Sequence, residues 1–163
     1  MLAVLGKRMT KYGLKLHPEK TKLVDFRPPQ WGQSKGHGSF GFLGFCFHWA
    51  RSRKGRAVVK VKTAKDRLIR TAKELGEWLR SNRHLPVAKQ HAQLSAKIKG
   101  HFQYFGVTFN SKALMNLLAE VRKRWRRCLS QRGGRKYWSW ERFDSFLKTF
   151  PLPRPLIIHS LYD

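Results

Sequence analysis

Apolar residues along the first half of the chain change period twice. Leu2, Leu5, Met9 and Tyr12 recur at spacings of three and four, the single stripe of a short helix, and Gly13 stands where such a helix commonly ends. His17 and Pro18 do not continue it, and "TKLVDF" (21–26) alternates well enough to predict a strand. The segment "RPPQWGQSKGHG" (27–38) carries too much Pro and Gly for a regular element and reads as a loop. A continuous apolar run, "SFGFLGFCFHW" (39–49), follows. Read as one strand, it places Leu43, Phe45, Phe47 and Trp49 on one face and Phe40, Phe42 and Cys46 on the other. A strand that is apolar on both faces needs cover on both sides. After the basic turn "ARSRKG", the segment "RAVVKVK" alternates Ala57, Val59 and Val61 with Arg56, Lys60 and Lys62, which predicts the second arm of a hairpin with a basic outer face.

Beyond residue 62 the period becomes 3.6. Thr63 and Asp66 resemble a capping box, opening a helix striped by Ala64, Leu68, Ala72, Leu75 and Leu79 that stops near "SNRHLP". A second helix spans about Val87 to Phe105, with Leu94, Ile98, Phe102 and Phe105 inward, until "GVTFN" breaks it. A third, starting after Asn110 or Ser111, turns Leu114, Leu117, Leu118, Val121, Trp125 and Leu129 inward, with Lys123, Arg126 and Arg127 pointing away. Phe143, Phe146, Leu147 and Phe150 mark a short fourth helix before "PLPRP". The fold class expected is therefore α+β: a short helix and a small antiparallel hairpin, followed by an α-helical bundle. The composition divides the chain into residues 1–62 and 63–163, and only the helical part is expected to pack well by itself.

Charge narrows the function. Lys and Arg number 35 against 9 Asp and Glu, so 35 − 9 gives a net charge of +26 and a pI of about 11.2. Self-repulsion of that size calls for a polyanionic partner, nucleic acid first. No run approaches the roughly 18 apolar residues of a spanning helix. The opening "MLAVLGKRM" lacks a secretory signal's apolar stretch and cleavage site, so no membrane is expected and the protein is placed in the cytoplasm. Cys46 and Cys128 stand alone, without finger spacing, and no metal site is expected. The acids sit on helix surfaces opposite bases, as Asp66 with Arg70 and Lys73 with Glu77. "GHGSFGFLG" enters a strand, not a helix, and so fails as a phosphate loop. The informative clusters are "ARSRKGR" and "VRKRWRR" with "QRGGRKYW". Arg51, Arg53, Lys54, Arg56, Lys60 and Lys62 form one group of candidate phosphate contacts; Arg122, Lys123, Arg126, Arg127, Arg135 and Lys136 form the other.

"GLKLHPEKTKLVDF", "FGFLGFCFHW", "SRKGRAVVKVK", "RSNRHLPVAKQHAQLSAKIKGHFQYFGV" and the closing "SWERFDSFLKTFPLPRPLIIHSLY" resemble, in order and over nearly the whole chain, the carboxy-terminal part of bacterial group II intron reverse transcriptase/maturases. The resemblance implies that residues 1–62 are the end of a polymerase palm with its primer-grip hairpin. The helices would then be the thumb, or maturase-specific, domain. It implies a pyrophosphate-side role for Lys20 and a primer-grip role for Phe42, Leu43, Gly44 and Phe45. Its partners would be group II intron RNA and a template–primer. The family's Mg²⁺-binding Tyr-x-Asp-Asp motif has no counterpart, since no two Asp residues are adjacent in this sequence. Phosphoryl transfer by such polymerases needs carboxylates holding two metal ions, so this chain alone is expected to hold no cofactor and not to polymerise. Fingers and most of a palm are expected to precede it, and no Cys/His endonuclease module is expected after Tyr162. Three alternatives stand beside this reading: a stand-alone RNA-binding splicing factor, a generic basic binder, and a polymerase split over two chains.

Overall fold

The computed structural model describes residues 2–19, 21–29, 38–132 and 137–161. Its elements are α1 (Leu2–Lys11), β1 (Ser39–Phe42), β2 (Phe45–Arg51), β3 (Ala57–Thr63), α2 (Lys65–Ser81), α3 (Val87–Phe105), α4 (Ser111–Ser130) and α5 (Trp140–Thr149). The fold is α+β, as the change of period predicts. The strands form one antiparallel sheet in the order β1-β2-β3.

Two expectations for the amino-terminal half fail. Residues 21–26 form no strand: Leu23 and Val24 are exposed, and the segment finds no ladder partner. Its one inward side chain is Phe26, which stacks on Trp49 at 5.2 Å and meets the edge of Phe40 at 4.8 Å. The apolar run 39–49 is not one strand either. Leu43 (φ 49°) and Gly44 (φ 80°) both take left-handed backbone and turn the chain back on itself. This is the two-residue hairpin connection that strand twist favours, with Gly at the position where a side chain is strained. The turn pairs Phe42 with Phe45 and Phe40 with Phe47. Directly opposed residues share a face, so Phe40 and Phe42 join Phe45, Phe47 and Trp49 instead of opposing them. Phe40 and Phe47 stack nearly parallel, with centroids 5.0 Å apart.

The helical half follows its pattern more closely. Leu75, Leu79, Leu94, Ile98, Leu114, Leu117, Val121, Trp125 and Leu129 form one buried core, closed by Phe143 of α5. Three of the polar side chains enclosed with it are paired. Trp125 Nε1 donates to Gln90 Oε1 at 2.9 Å, Gln90 Nε2 donates to the Asn82 carbonyl at 3.2 Å, and the Cys128 thiol donates to the Leu79 carbonyl at 3.2 Å. Both cysteines are free. Lys73 and Glu77 form the expected i,i+4 pair at 3.9 Å, whereas Asp66 and Arg70 form none among the described residues.

The sheet meets the bundle through Asn110. Its Oδ1 accepts the Thr63 backbone N–H at 2.7 Å, while its Nδ2 donates to Thr63 Oγ1 and to the Phe105 carbonyl, both at 2.7 Å. The expected capping box at Thr63 is therefore absent. Thr63 is buried at the end of β3 with its hydroxyl engaged by Asn110, and Ala64 becomes the N-cap of α2 without a side-chain cap. The tail after α5 returns to the same junction: Ile158 N donates to the Gly106 carbonyl at 2.7 Å and Thr108 N to the His159 carbonyl at 3.1 Å.

Replacing Asn110 with Ala takes the partner from the buried Thr63 N–H and from the Thr63 hydroxyl, at about 1–3 kcal/mol each before relaxation, while the Phe105 carbonyl keeps the Val107 N–H. The urea midpoint of the variant is expected to fall by the equivalent of about 3 kcal/mol; an unchanged midpoint would show that the junction carries no such load. A second prediction concerns pH. Burial, then the charge of Arg67, lowers the His101 pKa from 6.5 to about 4. The unfolded chain therefore takes up the proton first, and stability that is complete above pH 6.5 is lost as pH falls towards 4. His48 shifts in the same direction, chiefly through burial. His101→Phe is expected to flatten most of that slope in thermal melts between these limits.

Candidate nucleic-acid interface

The cations expected to face a polyanion divide, in the structure, into those engaged with other parts of the helical half and those turned to the surface. On α4, Arg122 is paired with Asp144 of α5, and Lys123 reaches Glu120 at 2.8 Å. The Lys123 hydrogen bond is the largest influence holding the Glu120 carboxyl below its ordinary pKa. Arg126, expected to point away, is turned in and only 9% exposed. It donates to Tyr137 Oη at 2.7 Å and to the Trp138 carbonyl, with its guanidinium over the rings of Trp140 (4.2 Å) and Tyr137 (4.9 Å). The reason is steric: α5 folds back across this side of α4 and needs an anchor there. Arg126 is an internal clamp, not a surface contact.

Arg127 remains outward and gains two neighbours that were not among the candidate phosphate contacts. Arg80 near the end of α2 and Arg124 of α4 join it around a groove of about 230 Å³ floored by Gly76, Leu79 and Cys128, with no acid in its lining. Gly76 makes the groove possible. A Cβ there would lie 2.6 Å from Arg124 Nη1 and 3.1 Å from its Cδ, so the bare backbone lets Arg124 lie across α2. Arg124 lies in the basic run "VRKRWRR" without being set apart from its neighbours there, and Arg80 lies in no basic run at all. Only the packing of α2 on α4 brings them to Arg127.

The sheet supplies a second basic region. Arg51, Arg53, Lys54 and Arg56 are exposed at the β2–β3 turn, which is closed by Arg56 N donating to Ser52 Oγ at 3.0 Å. Lys60 and Lys62 lie on the other face from the aromatics and open into a cleft of about 380 Å³ that also takes in His48, Lys65 and Lys112. Lys60 Nζ sits 5.4 Å from the centre of the Phe109 ring. Burial lowers the His48 pKa, with Lys62 and then Lys60 adding repulsion, so this cleft disfavours a charged histidine among its cations.

Phe42, Leu43, Gly44 and Phe45 are held together at the β1–β2 turn. Tyr104 Oη donates to the Leu43 carbonyl at 3.1 Å, Ala64 N donates to the Gly44 carbonyl at 2.9 Å, and Phe45 packs on Phe105 at 4.9 Å. Phe42 and Leu43 project outward from this anchored turn, 58% and 66% exposed. Lys20, Arg135 and Lys136 lie outside the described residues. No group of three metal-ligating side chains occurs among the described residues. The acids that are described lie before β1 and on α2, α4 and α5, with Asp25, Glu77, Glu120 and Asp144 paired to cations, and do not fit the two Mg²⁺ ions implied by the resemblance. No helix among the described residues is long and apolar enough to cross a membrane.

Fold and surface together define a basic helical domain with an attached three-stranded sheet. Residues 68–145 match the family model of the group II intron, maturase-specific domain, so this part of the chain is similar to that domain. The match runs from Leu68 in α2 to Ser145 in α5 and contains the whole arginine groove; the sheet lies before it. No curated protein and no solved structure matches the chain.

Arg126→Ala is expected to lower the melting temperature, because it releases Tyr137 and Trp138 together with the stacked ring of Trp140. Arg127→Ala is expected to leave melting unchanged. Equal melting of the two variants would contradict the distinction between clamp and surface cation.

Proposed function

We propose that the chain is a group II intron maturase whose helical domain grips the intron RNA in the cytoplasm and so assists splicing. The observation that supports this most directly is the acid-free groove of Arg80, Arg124 and Arg127, inside the span that matches the maturase-specific domain. Guanidinium groups present planar forks of donors that suit phosphate oxygens bidentately, and a groove of three can follow successive phosphates. Binding is driven by release of condensed counterions, with a contribution from each neutralised phosphate. The RNA carries its own splicing chemistry; the protein supplies position.

The finer reading is that the anchored β1–β2 turn, with Phe42 and Leu43 projecting, holds a primer end in a reverse transcriptase whose fingers and palm lie in other sequence. Its support is the fastening of that turn to both α2 and α3, which makes turn and helices move together. In that assembly Lys60 and Lys62, with Arg51, Arg53, Lys54 and Arg56 at the adjoining turn, would pair with phosphates of a template–primer. A stand-alone splicing factor remains the alternative, and it would use the same groove.

Replacing Arg80, Arg124 and Arg127 together with Gln is expected to reduce the slope of log affinity against log salt by about 2–3, at roughly 0.7–0.9 for each phosphate contact. Filter binding with a group II intron RNA and a scrambled RNA of equal length measures it. An unchanged slope removes the groove from the interface. Equal affinity for the two RNAs would instead favour a generic basic binder.

A further inference from the structure

A second cavity lies between α2 and α3, away from the arginine groove. It holds about 400 Å³, within the range of roughly 300–1,000 Å³ typical of small-ligand sites. One face of each helix lines it: Arg67, Thr71, Glu74 and Trp78 from α2, and Lys97, Gly100, His101 and Tyr104 from α3. Its character differs from every other basic surface described above, because aromatic walls dominate it and it contains a carboxylate.

We propose that this slot binds an unstacked guanine nucleotide. Four observations carry the inference. Trp78 and Tyr104 stand on opposite helices, and the Tyr104 ring, stacked on Phe45 at 5.7 Å and held by its hydroxyl on the Leu43 carbonyl, remains half-exposed. Gly100 has nothing within 4 Å of where a Cβ would stand, so a flat ring can approach the α3 backbone there. Glu74 makes no hydrogen bond or ion pair among the described residues, in a chain with 35 basic residues against 9 acids. Finally, Arg67 and Lys97 stand in the same lining, with Lys97 Nζ 5.5 Å from the centre of the Trp78 ring.

The carboxylate selects the base. Two carboxylate oxygens accept only, and they match two adjacent donors. Guanine presents such a pair, N1–H and N2–H, on its Watson–Crick edge. Adenine and cytosine each place a ring acceptor beside the amino donor, and uracil flanks its single donor with two carbonyls. Stacking against Tyr104 is indifferent to the base, so discrimination falls to Glu74, while Arg67 takes the phosphate and Lys97 lies over the Trp78 ring. The same chemistry serves a free guanine nucleotide or an unpaired guanine in RNA; only the latter rests on the RNA-binding reading.

The test uses the full chain and isothermal titration with GMP and AMP, followed by two RNA hairpins that differ only in a bulged G or a bulged A. GMP is expected to bind about tenfold more tightly than AMP, and Glu74→Gln to abolish that preference without moving the urea midpoint. Gly100→Leu fills the slot from an exposed helix position with open space around it, and is expected to block GMP in a protein that still folds. Preference for the bulged G assigns the site to RNA; GMP binding with indifference between the hairpins assigns it to the free nucleotide. Equal binding of GMP and AMP, or GMP affinity unaffected by Glu74→Gln, overturns the proposal. The arginine-groove variant reports on general RNA binding independently, so failure of one reading does not imply failure of the other.

Discussion

A buried amide joins the two halves of this molecule. Asn110 is fully enclosed at the α3–α4 link and spends both ends of its side chain on fixed partners, Thr63 at the end of β3 and the last carbonyl of α3. An enclosed amide tolerates only the arrangement in which all its donors and acceptors are met, because each missing partner costs a full desolvation penalty. The sheet is therefore held at one orientation to the bundle. From that follow the position of the Leu43–Gly44 turn against Phe105 and Arg67, the bond from Tyr104 to that turn, and the shapes of the clefts on either side.

Net charge of +26 is distributed by a hierarchy of partners, not spread evenly. With few acids to share, ion pairs fall where α4 meets α5, as for Arg122, or where spacing along one segment permits, as for Lys123 with Glu120 and Lys73 with Glu77. Arg126 is the exception that aromatic surface makes possible: Tyr137 and Trp140 receive its guanidinium face while Trp138 takes a donor at the edge. Delocalised charge and flat geometry make Arg, unlike Lys, tolerable in such a place. The cations left over collect in clefts whose linings hold no carboxylate, the arginine groove and the lysine cleft beside the sheet.

The central helices are specified by a polar network as well as by packing. Trp125, Gln90, Cys128 and the carbonyls of Leu79 and Asn82 meet between α2, α3 and α4, and each bond fixes a relative rotation of two helices. Rotating α4 by one position would break the Trp125 bond and put Arg124 or Arg126 in its place. That rotation also decides which arginines reach the groove, so the register of the core and the geometry of the surface are one constraint.

Much of this was legible in the sequence. The change from a period of two to 3.6, the positions of all four long or short helices after residue 62, the inward Trp125 and the polyanionic partner implied by charge all follow from local pattern and composition, since hydrophobic periodicity is a property of neighbouring residues. The similarity of 68–145 to the maturase-specific domain lies in that same helical stretch. What local pattern did not carry was decided by contacts between residues far apart in the chain. The strand expected at 21–26 needed a ladder partner that the fold does not provide. The apolar run at 39–49 concealed a turn because Leu43 and Gly44 read as two more alternating positions until their backbone angles are known. Thr63 lost its capping role to Asn110, forty-seven positions away. Arg126 and Arg127 are indistinguishable in a basic run, yet one is a clamp and the other a surface cation. Burial of a charge depends on which aromatic rings and helices arrive from elsewhere, and only the tertiary structure brings them together.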